Sequence, residues 1–176
     1  MGVGAVIKNE HEYQVSKSWV VKFQQAIISL YQNEEKKQKD PEGWQLIIDS
    51  YFAQIKNLLD EITEYESLLD HNSQEILILQ NSNIRLSQIG EIIIKVRIAK
   101  KISLEELSAI TKLTKEQIKE YEDKDYQNAS FDAVIEIAEA LGIKLQHCTV
   151  VSEIDNFLSN ELTKIRQFEH ISNLSE

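Results

Sequence analysis

The sequence contains a run of apolar residues that repeat at alternating intervals of four and three between positions 44 and 69. This is the heptad spacing, which places side chains along one side of an α-helix. The run therefore predicts one long helix with a continuous apolar seam, as in a helical hairpin or a coiled coil. The seam residues are Trp44, Ile48, Tyr51, Ile55, Leu58, Ile62, Tyr65 and Leu69.

A shorter amphipathic helix is predicted before the seam, over residues 16–31. Its apolar side consists of Val20, Phe23, Ile27 and Leu30. Asp40 and Pro41 then suit the N-cap and the first position of the long helix. The two helices are expected to form a hairpin over residues 16–70.

The seam is longer than the first predicted helix. A helix of about 16 residues measures roughly 24 Å, whereas one of about 26 residues measures roughly 39 Å. A second protomer covering the surplus would make the chain a homodimer, and this is the predicted state. The alternative is a hairpin within one chain, with the surplus covered by the apolar run Ile76–Leu79 or by a C-terminal helix.

Closely spaced signals for helix starts and helix ends in the second half of the sequence predict several short helices. Ser103 with Glu106, and Thr114 with Gln117, have the spacing of two capping boxes. Ser130 suits a third cap, and Gly142 suits a helix end. The predicted helices span about 89–101, 104–110, 115–123 and 131–141. Two short helices around the turn at 111–113 form a helix-turn-helix arrangement, whose second helix reads DNA in known complexes.

Three segments carry a resemblance to a known family. They are Ile94-Lys-Val-Arg-Ile-Ala-Lys-Lys-Ile-Ser-Leu-Glu-Glu-Leu107, Leu113-Thr-Lys-Glu-Gln-Ile-Lys-Glu-Tyr-Glu122 and Ala138-Glu-Ala-Leu-Gly-Ile143. Together they resemble the Xre, or phage-repressor, helix-turn-helix family. With the hairpin and the opening Ile7-Lys-Asn-Glu-His-Glu-Tyr13, the chain is most similar to HigA-type antitoxins. Three positions depart from the family pattern, which has Ala at Ser108, Gly at Lys112 and a phosphate-contacting Gln at Leu104.

The resemblance implies roles for particular residues. Arg97 and Glu122 correspond to a structural ion pair between the first helix and the recognition helix, and Lys115, Glu116 and Glu120 correspond to base-reading positions. An α-helical wheel centred on Ile118 also turns Glu116, Glu120 and Asp123 away from the core. The full set of candidate DNA contacts is Ser103, Thr114, Lys115, Glu116, Gln117, Lys119 and Glu120.

The negative charge of the chain is unevenly distributed along the sequence. The net charge is −10, which repels phosphates and favours basic partners. Residues 1–80 carry 7 basic and 13 acidic side chains, 89–146 carry 9 and 11, and 147–176 carry 2 and 5. Most of the acidity is therefore outside the helix-turn-helix.

The predicted fold is all-α. Leu145–Val151 has the composition of a short strand, the one exception that the prediction allows, and it is followed by a helix capped by Ser152. The predicted regions are an N-terminal arm at 1–15, the hairpin or dimerisation region at 16–70, a linker at 71–88, the helix-turn-helix at 89–146, and the C-terminal strand and helix at 147–176.

No enzyme class is indicated. The sequence has no glycine-rich phosphate loop and no glycine-flanked serine nucleophile, and its four histidines are scattered. His147 beside Cys148 lacks further ligands at metal-binding spacing, so no metal, cofactor or catalytic residue is expected. A single cysteine, no membrane-spanning run and no secretory signal predict a cytoplasmic protein without a membrane partner.

Two functions from different classes remain at this point. The first is an antitoxin-like transcriptional regulator, a dimer that binds operator DNA and neutralises a basic toxin. The second is an oligomeric interaction scaffold that reuses the helix-turn-helix for packing without binding DNA.

Overall fold

A computed structural model describes residues 6–79, 85–146 and 155–172. Every regular element in these three ranges is helical, which confirms the all-α prediction. The helices are α1 (Glu10–Gln32), α2 (Glu34–Lys39), α3 (Pro41–Asp70), α4 (Ile89–Ala99), α5 (Leu104–Ile110), α6 (Lys115–Asp123), α7 (Phe131–Ala140) and α8 (Asn156–Ser172), with a short 3₁₀ turn at Leu86–Gln88 before α4. None of them combines the length and apolar character that a bilayer crossing requires.

The chain divides into two compact units, Met1–Ile143 and Lys144–Glu176. The first contains α1 to α7. Its core includes Val20 and Ile27 of α1, Ile55 and Ile62 of α3, and Ile93 of α4. These residues belong to one continuous cluster, so the hairpin and the helix-turn-helix share a core.

The hairpin is longer than predicted at its N-terminal end. Helix α1 begins at Glu10 rather than near residue 16, because the Asn9 side chain accepts a hydrogen bond from the Glu12 amide and caps it. At the start of α3 the Asp40 side chain accepts a hydrogen bond from the Gly43 amide, and Pro41 occupies the first turn.

Helices α1 and α3 run antiparallel along the predicted seam. The Tyr13 ring lies 5.4 Å from that of Tyr65, and the Tyr31 ring lies 5.2 Å from that of Trp44, between ring centroids. Near one end of the pair, the Trp44 indole also donates a hydrogen bond to the Leu30 carbonyl. The two helices therefore contact each other along most of their length.

Most of the predicted dimer seam is covered within this chain. Seven of the eight seam residues are buried or half-buried inside this chain, and only Leu69, at 40% exposure, lies outward, while its neighbour Leu68 is buried. Helix α1 has 23 residues, enough for roughly 34 Å of the seam, and α4 packs against α3 as well. The surplus that seemed to require a second protomer is covered within the chain.

The second unit contains α8, which begins at Asn156 where the Asp155 carboxylate accepts a hydrogen bond from the Leu158 amide. The predicted cap, Ser152, lies outside the described residues, as does most of the predicted strand. Within the described ranges, Leu145 and Gln146 have no regular secondary structure.

Candidate nucleic-acid interface

Helices α4 to α7 are held together by a small apolar core. Ile93, Ile94, Leu107, Ile118 and Ile137 are all less than 2% exposed, and every one of the four helices contributes to this set. Burying side chains of this size stabilises the fold by about 1.5–3 kcal/mol each. The recognition helix, α6, is thus anchored through Ile118 at its centre.

Both predicted capping boxes are formed. The Ser103 hydroxyl accepts from the Glu106 amide at 3.1 Å, and the Glu106 carboxylate accepts from the Ser103 amide at 2.8 Å. In the same way, the Thr114 hydroxyl accepts from the Gln117 amide at 3.2 Å, and the Gln117 side-chain oxygen accepts from the Thr114 amide at 2.9 Å. These four side chains define where α5 and α6 begin.

The departures from the family pattern in and before the turn are accommodated locally. The Ser108 hydroxyl donates to the Leu113 carbonyl at 2.8 Å, a bond that alanine could not make. The Lys112 amide donates to the Glu136 carboxylate of α7 at 2.5 Å. Lys112 is not among the described residues with positive φ, so the turn does not require glycine there.

Arg97 and Glu122 meet in a buried, bidentate ion pair between α4 and α6. The Arg97 Nε lies 2.5 Å from Glu122 Oε1 and its Nη2 lies 2.8 Å from Oε2, with the two residues 8% and 3% exposed. Burial raises the pKa of Glu122, whereas the hydrogen bonds and the charge of Arg97 act in the opposite direction. The two-bond geometry is that of a guanidinium with an ionised carboxylate.

The last residues of the predicted N-terminal arm, before α1, belong to this site. Val6 and Ile7 are buried, and the Lys8 carbonyl accepts a hydrogen bond from Arg97 Nη2 at 3.2 Å. The Lys8 ammonium lies 2.9 Å from the Asp125 carboxylate, just beyond α6. The signal in the sequence was the pair of adjacent apolar residues Val6 and Ile7, a residue type that is most often buried.

The chain leaves α6 through a tight turn that contacts α4. Asp125 and Tyr126 both have positive φ, 51° and 62°, which non-glycine residues adopt at a cost. The turn packs on Gly90 so closely that a Cβ at Gly90 would lie 2.2 Å from the Asp125 carbonyl oxygen. Only glycine at position 90 leaves room for this backbone.

The buried Tyr126 hydroxyl has no hydrogen-bond partner among the described residues. Since an unpaired buried polar group destabilises the native state by about 1–3 kcal/mol, Tyr126→Phe is expected to raise the free energy of unfolding by about 1 kcal/mol. Urea denaturation measures this. Tyr121→Phe is the matched control, because Tyr121 is half-buried and adjacent, with a ring centroid 6.0 Å away. A loss of stability in Tyr126→Phe alone would mean that the hydroxyl is satisfied.

The outward side of α6 has the composition that the wheel predicted. Lys115, Glu116, Lys119, Glu120 and Asp123 are exposed, and the two buried residues of the helix are those that face the core and Arg97. The other candidate contacts, Ser103, Thr114 and Gln117, are exposed as well. All seven candidate DNA-contacting residues are therefore accessible, although three of them also serve the capping boxes.

Both lysines on this surface are paired with carboxylates. Lys115 bonds to Glu105 of α5, and Lys119 lies 2.6 Å from Asp123. Hydrogen bonding to these carboxylates raises the pKa of both lysines, so both remain cationic. Ion pairs between exposed side chains contribute little to stability, because water screens them. DNA phosphates could displace such carboxylates at small cost.

The acidic residues of the same surface differ in their partners. Glu120 lies 2.8 Å from the Lys124 ammonium and also accepts from the Asn128 side chain. Glu116 has no hydrogen bond or ion pair within the described residues. It is therefore the carboxylate most available to accept a hydrogen bond from a cytosine amino group in a major groove.

Comparison with protein families identifies the module. Residues 93–147 match the helix-turn-helix family of the Xre type. This region carries a helix-turn-helix domain, the class found in DNA-binding transcriptional regulators, which are typically not enzymes. The match spans under a third of the 176-residue chain. Searches of curated proteins and of solved structures returned no match.

The described residues contain no cluster of three or more side chains suited to a metal ion. His147 and Cys148, the neighbouring pair considered in the sequence, lie outside those residues.

Proposed function

We propose that this protein is a transcriptional regulator that binds operator DNA through α5 and α6. The observation that supports this most directly is the exposed side of α6, which presents Lys115, Glu116, Lys119 and Glu120 on a helix fixed by Ile118 and the Arg97–Glu122 pair. Helix-turn-helix proteins insert this helix in the major groove. The first turn of α6, with its cap Thr114, would approach the base edges.

The roles within this surface follow from chemistry. Lys115 and Lys119 would contact phosphates or guanine, and Glu116 and Glu120 would select cytosine. Because carboxylates oppose the phosphate attraction that supplies non-specific affinity, this helix would bind random DNA weakly and depend on correct base contacts. Ser103, Thr114 and Gln117 would support the backbone contacts.

Lys115→Ala and Lys119→Ala are each expected to weaken operator binding and to make the salt dependence shallower by roughly one unit per lost phosphate contact. The measurement is a mobility shift on the protein's own promoter region at several salt concentrations. Lys56→Ala, an exposed lysine on α3, is the control and should bind DNA like the unmodified protein. Equal affinities for all three variants would contradict DNA reading by α6.

An antitoxin role is the more specific form of this proposal. Residues 1–80, which lie outside the helix-turn-helix in the sequence, carry a net charge of −6, and this suits a molecule that holds DNA and a basic protein at once. Co-expression with the product of the adjacent gene would test for such a toxin. A stable complex with a basic protein, sensitive to salt, is the expected result.

The scaffold alternative shares the fold and lacks the DNA activity. It predicts no retardation of promoter DNA at low salt, together with a partner or self-assembly through the hairpin. The paired lysines of α6 are the observation in its favour. The same mobility shift therefore separates the two functions.

We place a homodimer contact outside the seam, because most of the seam is covered within the chain. Phe52 and Leu59 are exposed and one heptad apart on α3, and Val21 and Ile28 are exposed with the same spacing on α1. Sedimentation at tens of micromolar protein is the test. A dimer would support two-fold operator recognition, and Phe52→Lys should dissociate it. If the protein is a monomer in solution, each chain would bind one operator half-site, and two chains would meet only on the DNA. A cytoplasmic location fits either case.

A further inference from the structure

A cleft lies between the second half of α3 and the segment that follows it. Its volume is about 530 Å³, and its lining combines apolar and polar side chains. Leu68, Leu77 and Leu79 supply apolar surface, and Asp60, Thr63 and Glu64 supply polar surface. This cleft is separate from the DNA-reading side of α6, because no residue of α5 or α6 lines it.

The segment Ile76–Leu79, which forms one wall, has the pattern of an unpaired strand. Ile76 and Ile78 are 86% and 73% exposed, whereas Leu77 and Leu79 are half-buried and Leu77 packs on the core. Alternate exposure is the side-chain pattern of an extended chain. Among the described residues, no backbone amide or carbonyl of this segment has a hydrogen-bond partner.

The segment is held in place just before it begins. The Lys100 ammonium donates to the Ser73 carbonyl at 3.0 Å and to the Glu75 carbonyl at 2.5 Å. Leu77 then anchors it from the inside. These contacts hold the segment in one position, which lowers the conformational entropy lost when a partner binds to it.

The side chains around the cleft are mainly acidic, although Lys95 of α4 and Lys100 just after it also contact this region. Residues 57–84 contain six acidic side chains and no lysine or arginine. Asp60 and Asp70 are exposed and have no partner within the described ranges, while Glu64 lies 2.7 Å from Lys95. Such a field attracts cations and repels nucleic acid. It also disfavours a second copy of this chain, whose matching surface has the same sign.

We propose that this cleft, which we call the α3 cleft, binds an extended segment of a basic partner protein by strand addition to Ile76–Leu79. The partner backbone would pair with the amides and carbonyls of Ile76–Leu79, which have no partner among the described residues. Its apolar side chains would contact Ile76 and Ile78, and its lysines or arginines would face Asp60. The inference rests on the proposed basic partner and names where and in what conformation that partner binds.

The test uses the full chain and a fluorescent synthetic peptide of about six residues that alternates lysine and valine. Anisotropy at low salt measures binding, and amide hydrogen exchange locates it. The expected results are saturable binding and slower exchange at Ile76–Leu79. The same peptide with an N-methylated backbone keeps the charges but loses the amide donors, and it should bind at least about tenfold more weakly.

Charge variants provide the second arm. Asp60→Lys combined with Asp70→Lys should weaken the peptide by about tenfold or more, whereas Asp49→Lys, in the first half of α3, should have little effect. Thermal melting checks that each variant is folded, and Asp60→Asn replaces the charge reversal if it is not. Equal binding of a peptide alternating glutamate and valine would overturn the proposal. So would protection confined to other segments, or concentration-dependent dimers that Ile78→Lys abolishes.

Failure of this inference can be told from failure of the proposed function. The cleft variants should shift promoter DNA like the unmodified protein, since the cleft contains no residue of α5 or α6. If the co-expressed basic product of the adjacent gene co-purifies with Asp60→Lys/Asp70→Lys as well as with the unmodified protein, the proposed partner is supported and the proposed binding site in the cleft is wrong. If the peptide binds as expected but promoter DNA is not shifted, only the DNA-binding proposal fails.

Discussion

Arg97→Ala is expected to lower the free energy of unfolding at neutral pH by about 3–5 kcal/mol. The substitution leaves the Glu122 carboxylate, 3% exposed, without its bidentate partner. It also removes the hydrogen bonds to the Ile102 and Lys8 carbonyls. Urea denaturation gives the value. Lys95→Ala is the control on the same helix, since it breaks a partly exposed pair with Glu64 and should lower the free energy of unfolding by less than Arg97→Ala does.

The pH dependence of this loss has a defined sign. Burial raises the pKa of Glu122 above its unfolded value of about 4.3, and removing Arg97 removes the groups that oppose this rise. A carboxyl with a raised folded pKa contributes stability below its unfolded pKa and loses it as pH rises through the folded pKa. The stability deficit of Arg97→Ala should therefore shrink between about pH 7 and pH 4. A deficit that does not change with pH would mean that Glu122 is not the group left unpaired.

Gly90→Ala is the second substitution with a large expected effect. It should lower the free energy of unfolding by about 1–3 kcal/mol or more. The new Cβ would meet the Asp125 carbonyl oxygen at 2.2 Å, and this is backbone that cannot rotate away. The Asp125–Tyr126 turn would have to move, and with it the end of α6. Both stability and promoter affinity should fall, as measured by thermal melting and mobility shift.

Gly43→Ala provides a matched comparison. Its Cβ would also approach another atom at 2.2 Å, but that atom is the Asp40 carboxylate oxygen, the end of a flexible side chain. Gly43 lies in the first turn of α3, where alanine is favoured over glycine by up to about 1 kcal/mol. A stability change near zero is expected. If the two alanine variants behaved alike, close backbone contact at Gly90 would not be the reason for glycine there.

Local signals in the sequence were sufficient for the helix-turn-helix. The bounds of α5 and α6 are those predicted, because Ser103 and Thr114 each occur three residues before a side chain that completes a capping box. The outward residues of α6 also followed from one inward residue, Ile118, and the helical repeat. These features depend on interactions within a few residues, which a sequence displays directly.

Features that depend on distant partners were missed or misjudged. The pairing of Lys115 with Glu105 joins two helices, and the contact of the Lys8 carbonyl with Arg97 spans 89 positions. The apolar seam of α3 and its pairing with the preceding helix were predicted, but what covers the rest of the seam was not, because a repeat identifies which side of a helix is buried and not everything that buries it. The early start of α1 at Glu10 and the packing of α4 removed the apparent surplus.

The hydrogen bond from Arg97 to the Lys8 carbonyl connects the helix-turn-helix to the start of the hairpin, so the two parts of the first unit should unfold together. One guanidinium joins the recognition helix, the loop after α4 and the residues immediately before α1. A helix-turn-helix excised from residue 89 onward would lack that carbonyl together with buried Val6 and Ile7. Melting of the hairpin and of the helix-turn-helix should thus be a single transition, and a ligand that stabilises one is expected to raise the melting temperature of the other.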